Sequence, residues 1–143
     1  MTNNYFKEMI RLADSIADQA HSGQTDKIGR PYITHPRRVA FAVRKLAPEN
    51  MRVEAQIVAL LHDTVEDTGV TLDYLARYFS VSIVDAVDAL TKRKGETLEQ
   101  SIARVRANEL ARLVKHADIA DNTDPERTAL LDEETRERLA KKY

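Results

Sequence analysis

Apolar residues recur along this chain with a helical period, and alternating strand patterns are nearly absent. Phe6, Met9, Ile10, Ala13, Ile16, Ala17 and Ala20 share one face of a first helix, Asn3–Ala20. A loop follows, HSGQTDKIGRPYIT, broken by Gly23, Gly29 and Pro31. Pro36 fits the first turn of a second helix over residues 36–46, with His35, ahead of a proline, expected just outside it. Residues 53–65 are apolar almost all round, which predicts a buried third helix running through His62 and Asp63 and stopping near Gly69. Thr71 caps a short helix to about residue 79, and Ser80 or Ser82 another to residue 90. Thr97 with Gln100 reads as a capping box for a helix to about residue 107. A further helix takes residues 109–121, ahead of Asp124-Pro125. Residues 132–143 read as a solvated amphipathic helix packed by Leu139, with no chemistry assigned. The sum is an all-α domain with one long loop.

Histidine and three carboxylates cluster toward the end of this apolar run, in ALLHDTVEDTG, residues 59–69. Buried carboxylates and imidazoles are costly unless paired or bound to metal. On a helix His62 lies over Glu66 and Asp63 over Asp67, one turn apart. The three carboxylates repel one another, and they sit at a helix carboxyl end, where the macrodipole disfavours anions. A cation would offset both penalties. The alternative is a solvated helix end with an incidental histidine.

Composition narrows the chemistry. At 143 residues the chain is most simply one domain, 1–143, long enough for a substantial core. Lys plus Arg (22) nearly balances Asp plus Glu (23), so no global field points to nucleic acid or membrane, and a soluble cytoplasmic protein is expected. No apolar stretch approaches the roughly 18–20 residues of a membrane span. The absence of cysteine leaves only histidine and carboxylate metal ligands, which suit Mn, Fe, Zn or Mg.

Other polar residues could join a site. His35 stands on a backbone fixed by Pro36, between apolar and aromatic neighbours Ile33 and Tyr32. Lys115, Asp118 and Asn122 share a helix face at i, i+3 and i+7, which reads equally as the polar edge of an amphipathic helix. His35, His62, Asp63 and Asp118 together would supply two imidazoles and two carboxylates, a set suited to a catalytic divalent metal with positions left for water. Lys92, Arg93 and Lys94 are either a solvated charge run or a phosphate-binding rim, and Lys27 is a second phosphate candidate.

With His35-Pro36, His62-Asp63 and Asp118 in that order, the chain resembles the HD superfamily of metal-dependent phosphohydrolases. HSGQTDKIGRPYITHPRRVA, ALLHDTVEDTGVT, DALTK and VKHADIADN, spread over residues 20–122, look like the hydrolase domain of Rel/SpoT proteins and stand-alone small alarmone hydrolases. The resemblance implies a helical HD fold, a Mn²⁺-dependent reaction and a small-molecule nucleotide substrate. The reaction removes pyrophosphate from the 3′ position of guanosine tetra- or pentaphosphate. It implies His35, His62, Asp63 and Asp118 as metal ligands, and Glu66 and Asp67 as the acidic pair that activates water and handles protons. Asn122 falls near the ribose, Lys27 in the substrate loop, and Tyr32 on the aromatic of the family's PY step.

The chain departs from the family pattern twice. Asp26 stands where the family often has an Arg able to stack on guanine, a contact worth about 0.5–2 kcal/mol. Pro125 stands where a substrate-side Thr is usual. No synthetase segment follows, so alarmone synthesis is not expected of this chain. Two further readings stay open: hydrolysis of another nucleotide or phosphate ester, and a non-catalytic metal- or nucleotide-binding module. The sequence carries no signature of oligomeric state or regulation.

Overall fold

The computed structural model describes residues 3–125, and the amphipathic segment expected at 132–143 lies outside them. Among the described residues there is no strand. The order is α1 (Asn3–Ala20), α2 (Thr34–Leu46), a 3₁₀ turn (Glu49–Met51), α3 (Arg52–Leu61), α4 (Thr64–Asp67), α5 (Leu72–Ala76), α6 (Val81–Leu90), α7 (Leu98–Arg106) and α8 (Glu109–Asn122). Among the described residues no helix is long and apolar enough to cross a membrane.

The apolar third helix is the centre of the bundle. α3 packs against α1, α2, α6 and α8. Ala55, Ile57, Val58, Ala59, Leu60 and Leu61 are all buried, covering every side of the helix, as a run apolar all round requires. Ala13 and Ile16 of α1, Val39 and Val43 of α2, Val87 of α6 and Val114 of α8 close over it.

Capping follows the sequence closely. Thr71 accepts the Tyr74 N–H, and Thr97 and Gln100 exchange both bonds of the capping box, at 2.9 and 3.1 Å. Asn108 caps α8 through the Ala111 N–H, an assignment the sequence pattern did not single out.

Two boundaries differ from expectation. α2 starts at Thr34, so His35 lies inside its first turn, ahead of Pro36. The chain enters through Ile33, already at helical angles (φ −55°, ψ −23°), and a first-turn proline leaves no hydrogen bond unmade. The second difference falls on the motif itself. α3 stops at Leu61, and a single-turn helix restarts at Thr64. The cause is side-chain competition for helix carbonyls. His62 Nδ1 takes the Ala59 carbonyl at 2.5 Å, and the Thr64 hydroxyl donates to the Leu61 carbonyl at 2.8 Å. The Asp67 N–H still reaches the Asp63 carbonyl at 3.0 Å, so these two carboxylates remain one turn apart.

Leu61 is fully buried and adjoins His62. Leu61→Ala is expected to lower the unfolding free energy by about 2–5 kcal/mol, read by urea denaturation; a loss under about 1 kcal/mol would show that the bundle closes over the cavity.

Candidate metal centre

Three helices each deliver one buried polar side chain to a common point. His35 comes from α2, His62 from the turn after α3, and Asp118 from α8. One ligand atom of each lies within 4.8 Å of the others. His35 Nε2 is 2.8 Å from Asp118 Oδ1, and His62 Nε2 is 3.4 Å from the same oxygen. The two imidazole rings face each other edge-on with centroids 5.4 Å apart. Asp63 joins from the side: its Oδ2 lies 3.1 Å from His62 Nε2 and 3.9 Å from His35 Nε2.

Each of these groups is held by a further contact. His62 Nδ1 bonds the Ala59 carbonyl, which turns Nε2 toward the carboxylates. His35 Nδ1 bonds Asp121 Oδ2 at 2.7 Å, and Asp121 is itself gripped by the Arg38 guanidinium at 2.8 and 3.1 Å. Asp118 receives the Asn122 side-chain amide at 3.1 Å and the Lys115 ammonium at 3.5 Å. The Tyr32 hydroxyl donates to Asp63 Oδ2.

The donor chemistry fits a divalent cation. His62 Nε2 is fully buried yet has no hydrogen-bond partner, although two carboxylate oxygens lie within 3.4 Å. A buried polar atom left in that condition costs about 1–3 kcal/mol unless something else binds it. A buried set of two imidazoles and carboxylates converging on a point, their outer atoms tied by second partners, matches the build of protein metal sites.

The electrostatics follow from burial and pairing. Burial alone would raise the Asp63 carboxyl, but the nearby His62 charge and the bond from Tyr32 bring it down to about 2. Burial likewise opposes ionisation of Asp118, and the two imidazoles outweigh it, holding that carboxyl far below the usual range. For His35, burial disfavours the cation, but Asp118 and Asp121 together lift it above the ordinary imidazole value. His62 is lifted further, against burial, by Asp63 and Asp118. Asp67 moves the other way from its neighbours: burial first, then the charges of Asp63 and Glu66, raise its carboxyl. Tyr32 is raised strongly by burial and by Asp63, so it stays a neutral donor.

The remaining sequence-derived candidates are spread more widely. Glu66 is exposed, and its Oε1 accepts the backbone N–H of Lys92 at 2.7 Å. The Asp67 carbonyl accepts the Gln24 side-chain amide at 3.3 Å. Gln24 is steadied in turn by His21 Nδ1 at 2.9 Å, and the His21 ring lies against Tyr32. Lys27 stands exposed in the turn closed by the Gly29 N–H on the Asp26 carbonyl, outside the buried cluster. Gly29 has φ +86°, a conformation that favours glycine there. Asp26 Oδ1 accepts the N–H groups of Ile28 and Arg30, so the residue at the family's arginine position shapes its own loop. Arg93 is paired with Asp88 at 3.0 Å, and His116 is exposed. Asp121, Arg38, His21 and Gln24 were not singled out from the sequence. The i, i+3 spacing of Asp118 and Asp121 was the one available signal.

The HD-domain family model matches residues 13–141. This chain belongs to the HD-domain family. Over 92% of its length it is 35% identical to a protein of Mycobacterium leprae named probable GTP pyrophosphokinase, covering 18% of that protein. Over 94% of its length it is 33% identical to the guanosine-3′,5′-bis(diphosphate) 3′-pyrophosphohydrolase of Aquifex aeolicus, covering 20% of it. The chain thus spans about a fifth of these curated relatives. A solved structure, described as a metazoan ortholog of SpoT that hydrolyzes ppGpp, matches 96% of this chain and 80% of its own, with TM-score 0.69 and 24% identity. That likeness shows the fold, an all-α HD domain. An HD domain implies a divalent metal, and the donor set described above fits one.

Two outcomes follow for this HD domain. In the cation-free protein His35 and His62 hold protons above the usual imidazole value, and an entering cation displaces them. Cation affinity therefore climbs as pH rises through and beyond about 6.5 and weakens below it. Calorimetric titration with Mn²⁺ in two buffers of different ionisation enthalpy should register proton release at pH 7; no release would mean the imidazoles were already neutral. Asp121→Asn should weaken cation affinity about 10–100-fold, because the carboxylate that orients His35 is lost. Unchanged affinity would show that His35 needs no such partner.

Proposed function

We propose that this HD domain is a divalent-metal-dependent phosphohydrolase that removes pyrophosphate from the 3′ position of guanosine tetra- or pentaphosphate. We assign Mn²⁺ as its metal and the cytoplasm, in alarmone turnover, as its setting. The observation that carries the reading is the buried His35–His62–Asp118 cluster, with His62 Nε2 lacking any hydrogen-bond partner. The names of the relatives supply the substrate class.

His35, His62, Asp63 and Asp118 are the residues that would hold the cation. Bound there, it would supply Lewis acidity, acidifying an attacking water and polarising a phosphoryl oxygen. The chain's own groups do the rest. Asp67, its carboxyl raised by burial and by Asp63 and Glu66, is suited to accept the proton of the attacking water. Glu66, fixed by the Lys92 N–H, orients that water beside it. Tyr32 keeps Asp63 aimed inward, and Asn122 does the same for Asp118 while lying beside the expected ribose position. Lys27, exposed on its loop, is the cation we assign to the phosphates.

A second reading keeps the chemistry and changes the base. Asp26 is engaged with the backbone of its own loop and offers no guanidinium to stack on guanine. A nucleotide panel separates the two readings.

The deciding assay is pyrophosphate release from guanosine 3′,5′-bis(diphosphate) by metal-stripped protein, with and without Mn²⁺. Release is expected only with Mn²⁺. Asp67→Asn should keep the metal and lose about 10²–10⁴-fold in kcat. No release from folded, Mn²⁺-binding protein would reject this substrate; full activity of Asp67→Asn would reject the proton-accepting role.

A further inference from the structure

α7 contributes no buried residue to the core, yet its Arg104 is the most heavily bonded side chain on the surface beside Glu66. Its Nη1 donates to the Asp88 carbonyl at 2.6 Å and its Nη2 to the Thr91 carbonyl at 2.5 Å. Its Nε and Nη2 bind both oxygens of Glu96, at 2.6 and 2.8 Å. Glu96 Oε1 also accepts the Arg93 N–H at 3.0 Å, and the Glu96 N–H closes back on the Arg93 carbonyl at 3.0 Å. The loop joining α6 to α7 is thereby pinned before and after Lys92. The Lys92 N–H, between those anchors, donates to Glu66 Oε1 at 2.7 Å.

We infer that Arg104 is a positioning residue for Glu66, acting through the Lys92 backbone amide. The guanidinium is suited to this because its donors form a rigid fork that binds two backbone carbonyls and a carboxylate at once. Glu96 completes the fork: Arg104 first, then the Arg93 amide, hold its carboxyl down at about 2, so it remains an anion at any pH where the protein works. Without the fork, the largely exposed loop 91–96 keeps the Thr91 hydroxyl on the Val87 carbonyl and the Arg93–Asp88 pair, and its one tie to the site is a single hydrogen bond. Such a loop opens locally at little cost. Glu66 would then swing among rotamers, and loss of a fixed carboxylate is felt in turnover more than in binding. The inference rests on the reading that Glu66 orients the attacking water. It also gives α7, which seals no part of the core, a task.

Arg104→Ala in the full chain tests it. Three results are expected together. Exchange of the Lys92 amide, followed by NMR, accelerates about tenfold or more. The Glu66 side-chain carboxyl resonance in ¹³C-labelled protein moves. With Mn²⁺ bound, kcat falls about tenfold while KM and cation affinity stay within twofold. Glu96→Gln, which keeps the carbonyl contacts of Arg104, should give the same pattern at smaller amplitude, and serves if Arg104→Ala does not fold. Unchanged Lys92 exchange with an unchanged Glu66 resonance overturns the inference. So does a fall of kcat, KM and cation affinity together with the thermal midpoint, which would mark a purely structural arginine. Wild-type protein that leaves the guanosine substrate intact defeats the functional reading alone, since the two NMR signals still decide whether Arg104 sets Glu66.

Discussion

Asp118 Oδ1 is the point on which the site depends. It takes His35 at 2.8 Å and the Asn122 amide at 3.1 Å, and lies 3.4 Å from His62. Those partners come from α2, α8 and the end of α3, so one carboxylate fixes where three helices meet. The meeting point is dry: His35 and His62 are each 3% exposed and Asp118 is 6% exposed. In such surroundings a charge–hydrogen-bond network is strongly directional, and one missing partner is expensive. The apolar packing of α3 brings the helices together; the carboxylate decides their register.

The break at His62-Asp63 is what turns a core helix into a site. A continuous helix would keep the Ala59 carbonyl for a backbone donor and leave the His62 ring free to rotate. By taking that carbonyl, Nδ1 locks the ring with Nε2 inward. The restarted turn, Thr64–Asp67, then carries Glu66 and Asp67 away from the core to the exposed rim. There they meet the two loops: Gln24 of the long loop reaches the Asp67 carbonyl, and the Lys92 amide reaches Glu66. Buried imidazoles and a carboxylate on the helices, with acids on a rim tied to loops, form a division of labour that would suit a buried cation and an entering substrate.

Much of this was legible in the sequence, and the parts that were not have a common cause. The all-α class and two of the caps followed from local chemistry, as Thr71 and Thr97 show. The cluster of His35, His62, Asp63 and Asp118 was legible because those residue types are rare in apolar surroundings and their motifs are specific. Asp121 was not, because its partner His35 lies 86 residues away and an aspartate on a helix edge is unremarkable on its own. The end of α3 at Leu61 was missed because its period stays helical while side chains take over its carbonyls. The support of Glu66 was invisible for a simpler reason. Its donor is a backbone N–H, which every residue but proline carries.

Charge balance explains how the same fold tolerates the site with and without a cation. Asp63 and Asp118 are ionised throughout the working pH range. Two buried anions so close would repel unless matched, and the same closeness makes each of His35 and His62 hold its proton more tightly than an ordinary imidazole. A divalent cation brings the same charge as the roughly two protons it displaces. An entering divalent cation would therefore trade against proton charge in the pocket rather than only add to it. Asp67 stands outside this exchange. Its carboxyl is raised, first by burial and then by the charges of Asp63 and Glu66, the opposite direction to Asp63 and Asp118.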